Sequence, residues 1–204
     1  MLPGLEIPRH FTLGHWQLQY QPGFLDPGSA DELFAKLMSR DDWHQPEISI
    51  HGKQVPVPRL VAWEGDPGVS YGYSGLVHRT SGWQPELSNL RDKVQIFSGF
   101  DFNYALLNLY RDGQDAMGWH RDNEVELGQH PMVASISLGS EREFHLRAER
   151  GAPLHRVRLE HGSLLLMPGK VMHHLPRRKG VSDPRINISL RCVKLNANQN
   201  VNHY

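Results

Sequence analysis

The spacing of apolar positions changes once along the chain. Through the first ninety residues the apolar runs are short and broken by Pro and Gly, as in "QPGFLDPGS", "VPVPR" and "EGDPGVSYGYSG", which implies many turns between short elements. Two stretches there keep a helical period. "SADELFAKLMSR" lines up Leu33, Phe34, Leu37 and Met38 behind Ser29 and Glu32, a capping box that predicts where the helix starts. "PELSNLRDKVQIF" lines up Leu87, Leu90, Val94 and Phe97, with Pro85 suited to a first turn. From Asn103 onward the period falls to two, and strands are expected in "NYALLNLYR", "MVASISLG", "REFHLRA", "HRVRLE", "SLLLMP" and "RINISLRCVK". Many short strands without helices between them predict an antiparallel sandwich or barrel, so the expected class is mainly β with flanking helices. No internal repeat or low-complexity segment interrupts this, and the polar tail "NANQNVNHY" is expected to fray.

Composition narrows the picture in three ways. A chain of 204 residues, 39% of them hydrophobic, can bury one sizeable core. With 22 basic and 22 acidic residues the formal net charge is zero, so any nucleic-acid contact must come from a local patch. The lone Cys192 cannot form an internal disulfide and is expected as a small core residue of the last strand. The start "MLPGLEIPRHF" has no apolar run long enough for a signal peptide or membrane span; the expected setting is cytoplasmic, with no membrane partner. Trp16, Trp43, Trp63, Trp83 and Trp119 are expected to serve packing.

The stretch "GWHRDNE" adds chemistry. In an extended segment residues i and i+2 point to one side, so His120 and Asp122 can converge on one ion while Arg121 points away. With thirteen histidines in the chain, such a pair alone is a weak signal. A third donor is available in "KVMHHLPRR", from His173 or His174, and two histidines plus one carboxylate form the facial pattern of non-haem iron oxygenases. In "RINISLR", Arg185, Asn187, Ser189 and Arg191 share one face and Ile186, Ile188 and Leu190 the other; "LLNLYR" repeats this with Asn108 and Tyr110. On an isolated strand such a polar face is a solvated exterior. Two such faces also suit the inside of a barrel holding a charged ligand, since an arginine fork matches a carboxylate. A dicarboxylate beside an iron site implies 2-oxoglutarate. A zinc hydrolase would use the same donors but leave the arginine stripe without a purpose. A non-catalytic jelly-roll binding module is the third possibility.

The order Asn-x-Tyr, His-x-Asp-x-Glu, distal His, Arg-x-Asn-x-Ser-x-Arg resembles the AlkB family of Fe(II)- and 2-oxoglutarate-dependent nucleic-acid dealkylating dioxygenases, from about Pro56 through Val193. "PRLVAWEGDPGVSYGYSG", "LLNLYRDGQDAMGWHRDNE", "HGSLLLMPG" and "HHLPRRKGVSDPRINISLR" match the style of its nucleic-acid-repair branch. The resemblance implies a double-stranded β-helix, or jelly-roll, core with an N-terminal nucleotide-recognition lid: residues 1–90 as extension and lid, 91–195 as the dioxygenase core and 196–204 as tail. It implies His120, Asp122 and His173 as the catalytic iron ligands, with His174 the alternative to His173. Asn108, Tyr110, Arg185, Asn187, Ser189 and Arg191 are implied as the 2-oxoglutarate contacts. Tyr73 is implied to stack on the flipped base with Tyr71 beside it, and His51, Gly52, Lys53, Asn123 and Glu124 complete the substrate contacts. The activity implied is oxidative demethylation of bases such as 1-methyladenine and 3-methylcytosine, using O2 and releasing formaldehyde, succinate and CO2. The substrate would be alkylated single- or double-stranded DNA, with RNA as an alternative, and the enzyme a monomer. A protein or lipid substrate for the same oxygenase chemistry is the competing reading. Two departures bear on specificity. Duplex-acting relatives carry an aromatic wedge where this chain has Ile50-His51-Gly52, and Asn123 stands where relatives often have a second aspartate. Lys53 and Arg59 of "HGKQVPVPR" and the run Arg177, Arg178, Lys179 are candidates for phosphate contacts.

Overall fold

Antiparallel pairing organises most of the chain. The computed structural model describes residues 8–50, 52–73 and 76–194, with Ile50, Tyr73 and Leu76 described in backbone only. In order the elements are β1 (Arg9–Leu13), β2 (Trp16–Gln21), α1 (Pro27–Met38), β3 (Glu47–Ile50), β4 (Lys53–Pro56), β5 (Leu60–Gly65), β6 (Ser70–Tyr73) and β7 (Leu76–Arg79). Then come α2 (Pro85–Ser98), β8 (Tyr104–Tyr110), β9 (Met117–His120), β10 (Met132–Gly139), β11 (Arg142–Arg147), β12 (His155–Leu159), β13 (Ser163–Pro168), β14 (Met172–Leu175) and β15 (Arg185–Arg191). A seven-stranded sheet in the order β1-β2-β13-β10-β15-β8-β5 faces a four-stranded sheet in the order β12-β11-β14-β9, a jelly-roll arrangement. The hairpins β3–β4 and β6–β7 stand apart as two-stranded sheets. The major sheet draws β1, β2 and β5 from residues where the sequence alone points to an extension and lid, so sheet membership does not follow the expected boundary at residue 90. The expected tail, 196–204, lies outside the described residues.

Helix α1 starts earlier than its capping box predicts. Asp26 is the cap: its carboxylate accepts the Ser29 N–H at 3.0 Å and the Ser29 hydroxyl at 2.7 Å. The reason is local, since Pro27 fits the first helical position and the Asp before it is a strong cap. Helix α2 begins at Pro85 as expected and stops at Gly99, whose φ of 73° lets its N–H reach Gln95 O.

Both helices cover the outer face of the major sheet. Leu33 and Leu37 of α1 and Leu87, Leu90 and Val94 of α2 pack with Leu107, Leu109, Ile136, Leu138, Ile186, Ile188 and Leu190. Each such aliphatic side chain contributes roughly 1.5–3 kcal/mol when fully buried. Because the apolar positions of β8, β10 and β15 face the helices, their polar alternates face the space between the sheets, and every residue of β15 is buried. That interior is closed by a second apolar cluster that includes Leu18, Tyr20, Val133, Phe144, Leu146, Leu165, Met167 and Leu175. Cys192 departs from expectation: it lies one residue past β15, beyond the helix-covered stretch that ends at Leu190, and is exposed.

Candidate active site

Strands β9 and β14 pair with His173 directly opposite His120. The next pairing, Leu175 with Met117, sets two residues of β9, Gly118 and Trp119, against the single His174 of β14. Such a bulge re-aims the side chains beside it. Asp122 follows, its N–H bonded to Gly169 O at 2.9 Å. A Cβ on Gly169 would lie 2.4 Å from Asp122 O, so only glycine lets this turn run against the Asp122 backbone. The result gathers one donor atom each from His120, Asp122 and His173 within 4.8 Å of one another. Asp122 Oδ1 is 3.7 Å from His120 Nε2 and 4.0 Å from His173 Nε2.

The surrounding bonds turn these donors inward. Carbonyl oxygens only accept, so His120 Nδ1–H donates to Gly118 O and His173 Nδ1–H to Val171 O, each at 2.9 Å, leaving both Nε2 lone pairs toward the shared space. Arg191 grips Asp122 Oδ2 through Nη2 at 2.6 Å and Nε at 3.0 Å, while Oδ1 is buried with no hydrogen-bond partner. A buried carboxylate oxygen left without a donor is costly, and a cation is the partner this one fits. Burial works to raise the Asp122 carboxyl, but Arg191 and the two histidines outweigh it and hold it below the ordinary range. Burial pushes His120 down to about 3 and lowers His173, so both are neutral ligands at neutral pH.

His174 is turned elsewhere, against Trp119 with ring centroids 5.1 Å apart and His145 at 5.6 Å, and is not part of the donor group.

Beside the donors runs a cavity lined by Asn108, Tyr110, Met117, Ser135, Phe144, Met167, Asn187, Ser189 and Arg191. Asn187 donates to Ser135 Oγ at 2.7 Å and to Ile136 O at 3.1 Å, and Ser189 donates to Asn187 Oδ1 at 2.9 Å. Arg59 Nε donates to Asn108 Oδ1 at 2.9 Å, which leaves the Asn108 amide N–H groups as donors for a ligand. Behind Tyr110, its register partner, sits Arg185, 2% exposed, with its guanidinium 5.5 Å from the Tyr110 ring. Its Nη2 donates to Ser137 Oγ at 2.8 Å, its Nε has no partner, and no acidic group pairs with it among the described residues. Burial draws this guanidinium down to about 10. An isolated buried cation is expensive, so the wall is built for a carboxylate that arrives with the ligand. Ser135 and Ser137 are absent from the sequence-derived set, and Arg59 stands in it only as a phosphate contact; the alternation of serines in "MVASISLG" is the signal that marks the first two.

On the other side of His120 a cleft is lined by Ile48, Val57, Arg59, Trp119, His174 and Arg177, among others. Trp119 is 38% exposed there with the Arg147 guanidinium 5.0 Å over its ring, so it lines the cleft rather than serving the core. Arg59, read from sequence as a surface cation, is 4% exposed in the cleft wall. Tyr71 is fully buried and edge-on to Tyr104, and burial raises the Glu124 carboxyl. Asn123, Lys53 and the run Arg177, Arg178, Lys179 are exposed, and Gly52 makes the β3–β4 turn with a φ of 77°. His51 and the side chain of Tyr73 lie outside the described residues.

Buried His78 and His173 and half-buried His120 set an acid limit on stability. His120 is held at about 3 and His78 at about 4, each mainly by burial, and His173 is lowered for the same reason. In the unfolded chain these rings protonate near pH ~6.5. Between those values the unfolded state binds more protons, so their contribution is present above pH ~6.5 and is lost as the pH falls toward the folded values. The thermal midpoint of the metal-free protein is expected to drop steadily from about pH 7 to about pH 4, within that window. A flat profile would show that the rings are not buried neutral.

Residues 17–191 match the model of the 2OG-Fe(II) oxygenase superfamily. Over 179 residues the chain is 38% identical to a Bos taurus protein named DNA oxidative demethylase ALKBH2, covering 80% of this chain and 64% of that protein. It is 33% identical over 186 residues to the Homo sapiens alpha-ketoglutarate-dependent dioxygenase alkB homolog 3, covering 84% and 64%. The chain thus spans just under two thirds of the length of these relatives. The solved structure of OsALKBH1 superposes with a TM-score of 0.65 at 16% identity, covering 90% of this chain and all of that one, which supports the jelly-roll fold.

Proposed function

The chain belongs to the 2OG-Fe(II) oxygenase superfamily and, within it, to the AlkB family of nucleic-acid dealkylases, and from that premise we propose that it repairs DNA by oxidative demethylation of N-alkylated bases. The observation that carries the reading is the cluster of His120, Asp122 and His173 beside a polar wall that ends in the buried, acid-free Arg185. One site asks for a divalent cation and the adjoining one for a dicarboxylate.

In this reading His120, Asp122 and His173 hold Fe(II), which together with 2-oxoglutarate and O2 supplies the power to hydroxylate an N-linked methyl group. Arg185 takes the distal carboxylate of 2-oxoglutarate, and Asn108, Tyr110, Asn187 and Ser189 orient it. Arg191 holds Asp122 in its ligating rotamer. The methylated nitrogen of 1-methyladenine or 3-methylcytosine lies on the pairing edge, so the base must come from a single strand or be turned out of the stack. Tyr73 stacks on that base, Glu124 meets its edge, and His51, Gly52, Lys53 and Asn123 hold the neighbouring strand; Tyr71, fully buried against Tyr104, stands behind them rather than touching the base. The hydroxylated methyl leaves as formaldehyde. The protein acts as a monomer in the cytoplasm, with RNA as a second substrate class.

The test is to incubate iron-loaded protein and 2-oxoglutarate with matched single- and double-stranded DNA, and with RNA, bearing 1-methyladenine, 3-methylcytosine or etheno adducts, and to follow the mass of the oligonucleotide. Consumption of 2-oxoglutarate with no mass change on any strand would move the substrate to another class. Tyr73 gives a sharper check, since base stacking on an aromatic is worth roughly 1–3 kcal/mol. Tyr73→Phe is expected to keep most repair and Tyr73→Leu to lose roughly five-fold or more, the low end of that range. Substrate-free decarboxylation should be nearly unchanged in both. Equal repair by the two variants would remove Tyr73 from the base pocket.

A further inference from the structure

A line of aromatic rings connects the donor cluster with the surface. The Arg191 guanidinium that grips Asp122 lies 6.0 Å from the Tyr71 ring. Tyr71 meets Tyr104 edge-on with centroids 5.0 Å apart, and the Tyr104 hydroxyl is 2.6 Å from His78 Nδ1. His78 lies face to face with Trp63, centroids 4.1 Å apart and planes 3° from parallel. Trp63, partly exposed, stacks in turn on the exposed His44 at 5.3 Å. Tyr71, Tyr104 and His78 are all at most 1% exposed. Packing alone explains a cluster of rings. It does not explain the order, in which a buried phenol has a ring nitrogen as partner and that ring is itself stacked on a partly exposed indole.

We propose that this line carries an oxidising equivalent away from the metal centre to the protein surface when no substrate methyl is in place, an inference that rests on reading the site as oxygen-activating. Tyr104 gives one electron toward the centre, across Tyr71, and its phenolic proton moves to His78 Nδ1. Trp63 then returns an electron to the Tyr104 phenoxyl while His78 returns the proton. The Trp63 radical cation takes its electron from a soluble one-electron reductant such as ascorbate, which releases a proton as it is oxidised. His78 can accept because burial keeps it neutral well below neutral pH. Only small proton movements are needed, since donor and acceptor are already hydrogen-bonded.

The route is testable without metal. Azide radicals generated by pulse radiolysis oxidise tryptophan in the metal-free protein, and exchange between Trp63 and Tyr104, started here from the indole end, appears as indolyl absorption relaxing to an equilibrium with phenoxyl absorption, the same equilibrium that a surface reductant draws toward Trp63 in the proposed direction. Wild type is expected to show a phase whose rate does not depend on protein concentration, lost in Trp63→Phe and in Tyr104→Phe and retained in Trp83→Phe, whose indole is engaged elsewhere, on Asp66. Retention of the phase in both line variants would overturn the proposal. In the iron-loaded protein given 2-oxoglutarate and ascorbate but no nucleic acid, a freeze-quenched phenoxyl signal should appear in wild type and vanish in Tyr104→Phe. Decarboxylation without any phenoxyl signal would also overturn it, because the line would then not reach the centre. A wild type that consumes no 2-oxoglutarate would sink the functional reading instead, and the radiolysis would still decide the relay.

Discussion

His120→Ala is expected to abolish 2-oxoglutarate turnover and leave the fold standing. The ring supplies one of three donors and lies at a partly exposed strand end, so its loss removes metal affinity without opening a core cavity. The loss should exceed the roughly 10–100-fold that removing an outer-shell partner costs, because a donor itself is gone. Asp122→Ala should be as inactive but less clean. It would strand Arg191, 3% exposed, without its carboxylate, and breaking a buried pair costs roughly 3–5 kcal/mol. His173→Ala should match His120→Ala, while His174→Ala should retain turnover, since that ring faces Trp119 and His145. Iron binding by calorimetry and decarboxylation by product release check all four. Full activity of His120→Ala would end the iron reading, and an inactive His174→Ala beside an active His173→Ala would reassign the third donor.

Arg185→Lys is expected to raise the Michaelis constant for 2-oxoglutarate by roughly ten- to a hundred-fold, from about 1.5–3 kcal/mol for a hydrogen bond to a charged group. An ammonium cannot reproduce two parallel bonds to a carboxylate. The structure adds a second expectation of opposite sign. Arg185 is buried with an unsatisfied Nε and no acidic partner, so Arg185→Met should raise the thermal midpoint of the ligand-free protein even as it destroys cosubstrate binding. An unchanged Michaelis constant would place the carboxylate elsewhere. A destabilised Arg185→Met would mean that the cation is satisfied without ligand.

The C-terminal half of the fold is legible because its strands alternate cleanly. In "RINISLR" the polar and apolar sets separate without exception, and the only ambiguity was which set faces inward. Helices α1 and α2 resolve it by covering the apolar face, a long-range fact that no local pattern carries. The same inversion hides the role of Ser135 and Ser137: small hydroxyls within "MVASISLG" read as tolerated strand residues until Arg185 and Asn187 are seen to bond Ser137 and Ser135. Strands β1, β2 and β5 were hidden among Pro- and Gly-rich turns, because their membership depends on pairing with β13 and β8, more than a hundred and about forty residues away. Spacing and resemblance point to His120, Asp122 and His173, but their convergence depends on the β9 bulge and on Gly169 in a turn far along the chain. Arg59 shows the limit in the other direction, since a cation in a loop-like stretch reads as surface until its bond to Asn108 is visible.

The position of β9 has a consequence for how cofactor occupancy is sensed. This four-residue strand closes one edge of the minor sheet, with β14 as its partner there across a shifted register. Short, irregular edge strands are the first elements to open. An ion shared by His120, Asp122 and His173 would staple this edge to its neighbour, much as a cross-link does. Amide hydrogen exchange along Met117–His120 should therefore slow on metal loading more than exchange in β10 or β15 at the centre of the major sheet. Trp119 lies on that strand, so the cleft wall would be firm only in protein charged with its ion, and looser in the apoprotein.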